Sequence, residues 1–200
     1  AESGEIEHAW NTSWGVSTRL VGGLVMTHGD DNGLRIPPLL APTELVIVPI
    51  WKSDEERGRV LETARRVYDS LRDWERREPN RLRVHLDDRE SMKPGAKYYE
   101  WELRGVPLRM ELGPRDIDKN QCVLVRRDTR AKATASLDSV GEDVETLLEA
   151  IQDDMVAAAL DRREKNSHRG PITYDRFRQL MDGEGGFVYA GWCGDPACEA

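Results

Sequence analysis

Apolar positions along the chain follow two repeats, one of period two and one near 3.6, and their alternation marks out the elements. Residues 44–51 form the most continuous apolar run, which predicts a strand buried on both faces. Ser53 is then placed to cap a helix running through residue 77. Glu56 stands at the capping-box position, and Val60, Ala64, Val67, Leu71 and Trp74 form the inner stripe. Alternation over 82–86, over 106–112 and, more briefly, over 122–125 predicts three further strands. Residues 97–104 carry a weaker helical period, with Tyr98, Trp101 and Leu103 toward a core and Lys97, Glu100 and Arg104 toward solvent. A long amphipathic helix is predicted over 142–163 from Val144, Leu147, Leu148, Ile151, Met155, Ala158 and Ala159. A short helix over 174–180 and a strand over 186–192 follow.

The first forty residues differ in texture. Glycines at 15, 22, 23, 29 and 33, with Leu20, Leu24 and Val25 at helical spacing, predict a strand followed by a short packed helix. Three prolines in residues 35–42 forbid helix and sheet interior there, so the chain should run extended and a domain boundary falls at this point. There are no internal repeats and no low-complexity segments.

Composition narrows the class. Hydrophobic residues at 38% suffice for a core, while 33% charged residues and a mean hydropathy of -0.65 give a strongly charged surface. No apolar run reaches the roughly 20 residues that a membrane helix needs. The acidic, polar amino end is unlike a signal peptide, and three cysteines make a poor disulfide framework; both point to the cytoplasm. The chain lacks an initial Met and stops inside a cysteine motif, so it reads as part of a longer polypeptide. A net charge of -8 argues against nucleic acid only in bulk. Carboxylates concentrate at 138–154, whereas Lys93, Lys97, Arg104, Arg109, Arg115, Lys119, Arg126, Arg127, Arg130 and Lys132 fall in one stretch, which keeps RNA as a partner.

Four places carry candidate chemistry. In Thr12-Ser-Trp-Gly-Val-Ser-Thr-Arg19, an arginine at a Gly-rich helix start can hold a phosphate bidentately, although on spacing alone a surface arginine beside a turn is the preferred reading. His28, between Thr27 and Gly29, reads as structural in preference to a base. Residues 93–116 combine aromatics, cations and carboxylates, the mixture that reads a single-stranded loop. There Lys93, Lys97 and Arg115 suit phosphates or guanine O6 and N7, and Glu100 or Glu102 suits guanine N1 and N2, with Trp101 and Tyr98 assigned to core packing. Cys193 and Cys198, in a turn containing Gly and Pro, can reach one tetrahedral metal; a redox disulfide and chance remain open. Cys122 lies in a strand and belongs to the core.

The 12–19 string, followed by Met26-Thr-His-Gly-Asp-Asp-Asn-Gly33 and Pro37-Pro38, closely resembles motif 3 and its continuation in class II prolyl-tRNA synthetases. The 93–116 block resembles that family's anticodon-binding domain. The resemblance implies an α/β fold: a mixed sheet flanked by helices over 41–140. Before it, over 1–40, stand the last strand and helix of a class II catalytic domain, and after it, over 141–200, part of a small α+β tail domain. It further implies that Arg19 is catalytic and, with Ser17, binds ATP. Lys93, Lys97, Glu100, Glu102 and Arg115 read the anticodon loop of tRNA(Pro), a loop sharing two guanines. Cys193 and Cys198 belong to a zinc site of the archaeal and eukaryotic-like group, half of which is visible. The implied parent is a homodimer that activates proline with ATP and magnesium, and these 200 residues alone, lacking motifs 1 and 2, are expected to be inactive. The Trp-Gly-Val-Ser-Thr-Arg string argues against the threonyl, histidyl and glycyl enzymes. A non-catalytic RNA-binding accessory module is the alternative, which the retained Arg19 segment disfavours.

Overall fold

The structure, a computed structural model, describes residues 4, 11–74, 81–191 and 194–198. Its centre is a sheet of β1 (Leu45–Pro49), β2 (Val84–Leu86), β3 (Leu108–Leu112), β4 (Gln121–Arg126) and β5 (Lys132–Ser136), in the order β2-β1-β3-β4-β5. The first three strands are parallel and the last two antiparallel, so the sheet is mixed, as expected. All five residues of β1 are buried, because it lies centrally and is covered on both faces.

Alternation along β1 divides the core. Leu45 and Ile47 pack with Ala64, Val67 and Leu71 of α2 (Asp54–Arg72) and with Val144, Leu148, Ile151 and Met155 of α5 (Val140–Lys165). Val46 and Val48 pack on the opposite face with Trp101 of α3 (Pro94–Leu103) and with Val106. Each fully buried Leu or Ile contributes about 1.5–3 kcal/mol. A short α4 (Pro114–Asp118) joins β3 to β4, and Cys122 on β4 is buried, its thiol pushed up to about 12 by burial.

Several expectations change. Ser53 does cap α2, accepting from the Glu56 amide at 3.3 Å, while the Glu56 carboxylate accepts from Lys52 N–H at 2.8 Å. The helix stops at Arg72, however; Trp74 lies past its end, and 75–77 fall outside the described residues. The Trp74 indole instead packs onto the first turn of α5, where a Cβ on Gly141 would stand 2.4 Å from the ring. Strand β5 was not anticipated: it is an exposed edge strand of small and polar residues, so it shows no apolar alternation. Lys97 is buried rather than solvent-facing, and Leu103 is exposed rather than buried. Lys97 stands four residues before Trp101 and shares its sheet-facing stripe.

At the amino end, α1 (Leu20–His28) forms but has no buried residue, and 11–16 adopt no strand, so the expected strand and packed helix become an exposed helix. Among the described residues only its carboxyl end is partly covered, where Leu24, Thr27 and His28 are half-buried and Arg162 of α5 donates to the Thr27 carbonyl at 2.9 Å. At the carboxyl end, Ala158 is exposed, and α5 continues to Lys165. Beyond it lie β6 (Ser167–His168), α6 (Tyr174–Asp182) and β7 (Phe187–Val188), with β6 and β7 paired in parallel. β7 is shorter than the strand expected over 186–192, whose Trp192 falls outside the described residues. No described helix is long and apolar enough to cross a membrane.

Candidate nucleic-acid interface

The chain leaves β1 through α2 on one face and leaves β2 through α3 on the other, while β2 and β3 flank β1. Connections that diverge in this way open a crevice outside the carboxyl ends of parallel strands, the usual ligand position in such sheets. A cleft of 350 Å³ lies there, lined by Pro49 and Trp51 after β1, by Glu90, Ser91, Met92 and Lys93 after β2, and by Pro94 and Lys97 of α3.

Lys93 is the N-cap residue of α3 and Pro94 its first helical residue; no side chain caps the first turn. The helix dipole and the Lys93 ammonium together favour an anion. One turn on, the Lys97 Nζ donates to the Asp87 carbonyl at 2.9 Å, lies 3.5 Å from Asp87 Oδ1, and sits 5.7 Å from the centre of the Trp51 ring. The lysine is therefore held, not free to swing. Trp51 is only partly buried and offers an aromatic surface beside this cation.

Asp87 organises the site from beneath. Its carboxylate accepts from Arg89 at 2.7 and 2.8 Å and from the Trp101 indole at 2.8 Å. Burial alone would push this carboxyl up, but the hydrogen bonds from Arg89 and Trp101, with the charges of Lys97 and Arg89, hold it well below the usual carboxylate range. Arg89 also bridges to Glu100 at 2.8 Å, and Arg104 pairs with Glu100 from the other side. Those contacts keep the Glu100 carboxyl below its ordinary value, the Arg89 hydrogen bond contributing most.

The expected site residues therefore separate. Lys93 and Lys97 line one cleft, and Glu100 joins them through Arg89 and Asp87. Glu102 belongs elsewhere: it pairs with Arg109 at 2.8 Å, and that guanidinium lies 4.1 Å over the Tyr98 ring. Arg115 is exposed in α4, which starts where β3 ends, and so stands at the same edge of the sheet as the cleft. Trp101 and Tyr98 pack against the core, as expected.

The ten-cation stretch does not form one basic face. Arg126 pairs with Asp128 and Asp154, Arg127 with Asp30, Arg109 with Glu102 and Glu111, Arg104 with Glu100, and Lys132 with Glu111. Lys93, Arg115, Lys119 and Arg130 are exposed and enter no ion pair among the described residues. Sequence reasoning missed Trp51 and Asp87. Each stands just past the carboxyl end of a parallel strand, and that position was the available signal.

Ser17 and Arg19 are exposed beside the start of α1, where the Ser17 carbonyl accepts from Leu20 N–H. The His28 carbonyl accepts from Arg35 Nε at 2.8 Å, and burial, then Arg162 and Arg35, lower the imidazole's proton affinity. Cys193 lies outside the described residues, and Cys198 ends a 3-10 turn, Pro196–Cys198. Among the described residues no three His, Cys, Asp or Glu side chains cluster to hold a metal ion.

The crevice at the strand ends, with its aromatic surface and cationic rim, lies within residues 44–147, which match the anticodon binding domain family. The chain belongs to that family. It is 46% identical over 197 residues to a proline-tRNA ligase of Alkaliphilus oremlandii, covering 98% of this chain and 39% of that protein. It is 45% identical over 199 residues to one of Salinibacter ruber (100% and 39%) and 43% identical over 197 residues to one of Clostridium botulinum (98% and 39%). The chain thus spans about 39% of the length of these relatives.

Proposed function

We propose that the chain belongs to a cytoplasmic, dimeric enzyme that joins proline to tRNA(Pro), and that its own part is to hold the anticodon. In the whole reaction, a proline carboxylate oxygen attacks the ATP α-phosphate, releasing pyrophosphate. The tRNA terminal hydroxyl then attacks the prolyl carbonyl, releasing AMP. Arg19 and Ser17 are assigned to the ATP phosphates: a planar, permanently charged guanidinium suits charge that builds on phosphate oxygens better than a lysine does. In this reading residues 1–40 end the catalytic domain, 41–140 bind the anticodon, and 141–200 begin the tail domain. A helix such as α1, apolar from Leu20 to Met26 on all sides, calls for burial, which supports placing it in a larger catalytic domain. Magnesium would enter with ATP. Two thiolates offer half a tetrahedral set, so zinc would need ligands beyond Cys193 and Cys198.

The observation that carries the reading is the cleft bounded by Trp51, Lys93 and Lys97, on a chain nearly half identical to proline-tRNA ligases throughout. A guanine stacked by Trp51 would present O6 and N7 to the two lysines. Anisotropy titration of a tRNA(Pro) anticodon stem-loop tests it. Replacing the two shared guanines should weaken binding at least tenfold, Lys97→Ala should do the same to the native loop, and Glu100→Ala should cost about threefold. Equal binding of loops with and without the guanines would overturn the assignment.

A further inference from the structure

Arg127 stands outside the cleft, and anticodon reading gives it no task, yet it is among the most committed side chains in the molecule. It follows β4, its side chain is only 4% exposed, and it spends its whole guanidinium on two partners far away in sequence. Nη1 and Nη2 donate to both oxygens of Asp30 at 2.9 and 2.7 Å, and Nε donates to the Glu102 carbonyl at 3.0 Å. Asp30 closes the turn just after α1; Glu102 lies in the last turn of α3.

Around this fork the two segments meet backbone to backbone. Leu34 N–H donates to the Leu103 carbonyl at 3.0 Å, and Ile36 N–H to the Gly105 carbonyl at 3.2 Å. Gly33, at φ +120, would put a Cβ 2.6 Å from Leu103 Cα, and Gly105, at φ +77, would put one 2.6 Å from Leu34 Cβ. Only glycine fits either position, so the approach is as close as two chains can make it. Helix α3 carries Lys93 at its other end, about 15 Å away for ten residues, with Lys97 one turn in from that end.

We propose that Arg127 is a positioning residue that fixes the segment bearing Arg19 against the anticodon-facing helix, and so governs the tRNA-dependent step rather than proline activation. This rests on the function proposed above. Activation uses only the catalytic end, and loop binding uses only the cleft. Transfer to tRNA alone needs one molecule held at both ends. A swinging anticodon domain lowers the effective concentration of the acceptor end without touching either site. A bidentate arginine resists such swinging in a way that a lysine's single point charge does not.

The test compares wild type, Arg127→Ala, Arg127→Lys and Asp30→Asn in the full-length protein. Proline-dependent ATP–pyrophosphate exchange and anticodon stem-loop affinity should stay within about twofold, while kcat/KM for charging tRNA falls about tenfold in Arg127→Ala and Asp30→Asn. Arg127→Lys should recover part of that loss. Unchanged charging would overturn the proposal, as would a parallel fall in exchange, loop affinity and melting temperature, which marks a purely structural role. If wild type itself shows no proline-dependent exchange, the underlying functional reading falls and this one with it.

Discussion

Helix α1 and strand β1 are both rich in leucine and valine, yet they end in opposite environments. Every residue of β1 is buried; no residue of α1 is, with Leu20 59% and Met26 82% exposed. Apolar composition states a demand for burial, and the surroundings decide whether it is met. β1 meets α2 on one face, in the core that α5 closes over β4 and β5, and α3 on the other. Gly22 and Gly23, which would let another backbone approach α1 closely, have nothing within 4 Å of where a Cβ would be.

That contrast can be broken or sharpened by measurement. The largest expected effect is in β1, where Leu45→Ala removes a fully buried side chain from the core beneath α2 and should cost about 2–5 kcal/mol in urea unfolding of this chain. Leu20→Ala in α1 should change the same measurement by less than about 0.5 kcal/mol. Equal costs would show that α1 is covered in solution.

Next comes the polar counterpart of that core, the Asp87 network. Its folded-state carboxyl titrates below the ordinary Asp value of about 3.9, so its contribution is fully present above that value and declines as pH falls below it. Asp87→Asn leaves Lys97 buried without its counter-charge and should cost about 3 kcal/mol at neutral pH, while flattening the loss of stability below about pH 4. An unaltered acid limb in the variant would remove Asp87 from that role.

The smallest effect concerns charge at the interface. Ten cations meeting single-stranded RNA would give a salt slope of about -7, but four unpaired ones should give about -3. Plotting log K for the stem-loop against log salt distinguishes the two, and a slope near -7 would mean that the internal ion pairs open on binding.

Long, strongly periodic elements were legible in advance: β1, the Ser53 cap, and the inner stripes of α2 and α5, while the mixed sheet followed from the family resemblance. The family was legible too, from residues 12–42 and 93–116. The edge strand β5 was not, because half-solvated small residues leave no period. The candidate site was half legible. Residue type marked Lys93, Lys97 and Glu100, but placed Lys97 in solvent and grouped Glu102 with them.

Local pattern by itself determined the long helices α2 and α5, the central strands, their apolar faces, and that a cation-rich, aromatic block exists. Only the tertiary structure decided which charges face solvent, because beside local pairs such as Arg126 with Asp128 it joins residues distant in sequence, as with Arg127 and Asp30, 97 positions apart. It also decided that Trp51 and Asp87 matter: a crevice at strand ends is a property of how connections diverge across a sheet, and no single segment encodes it.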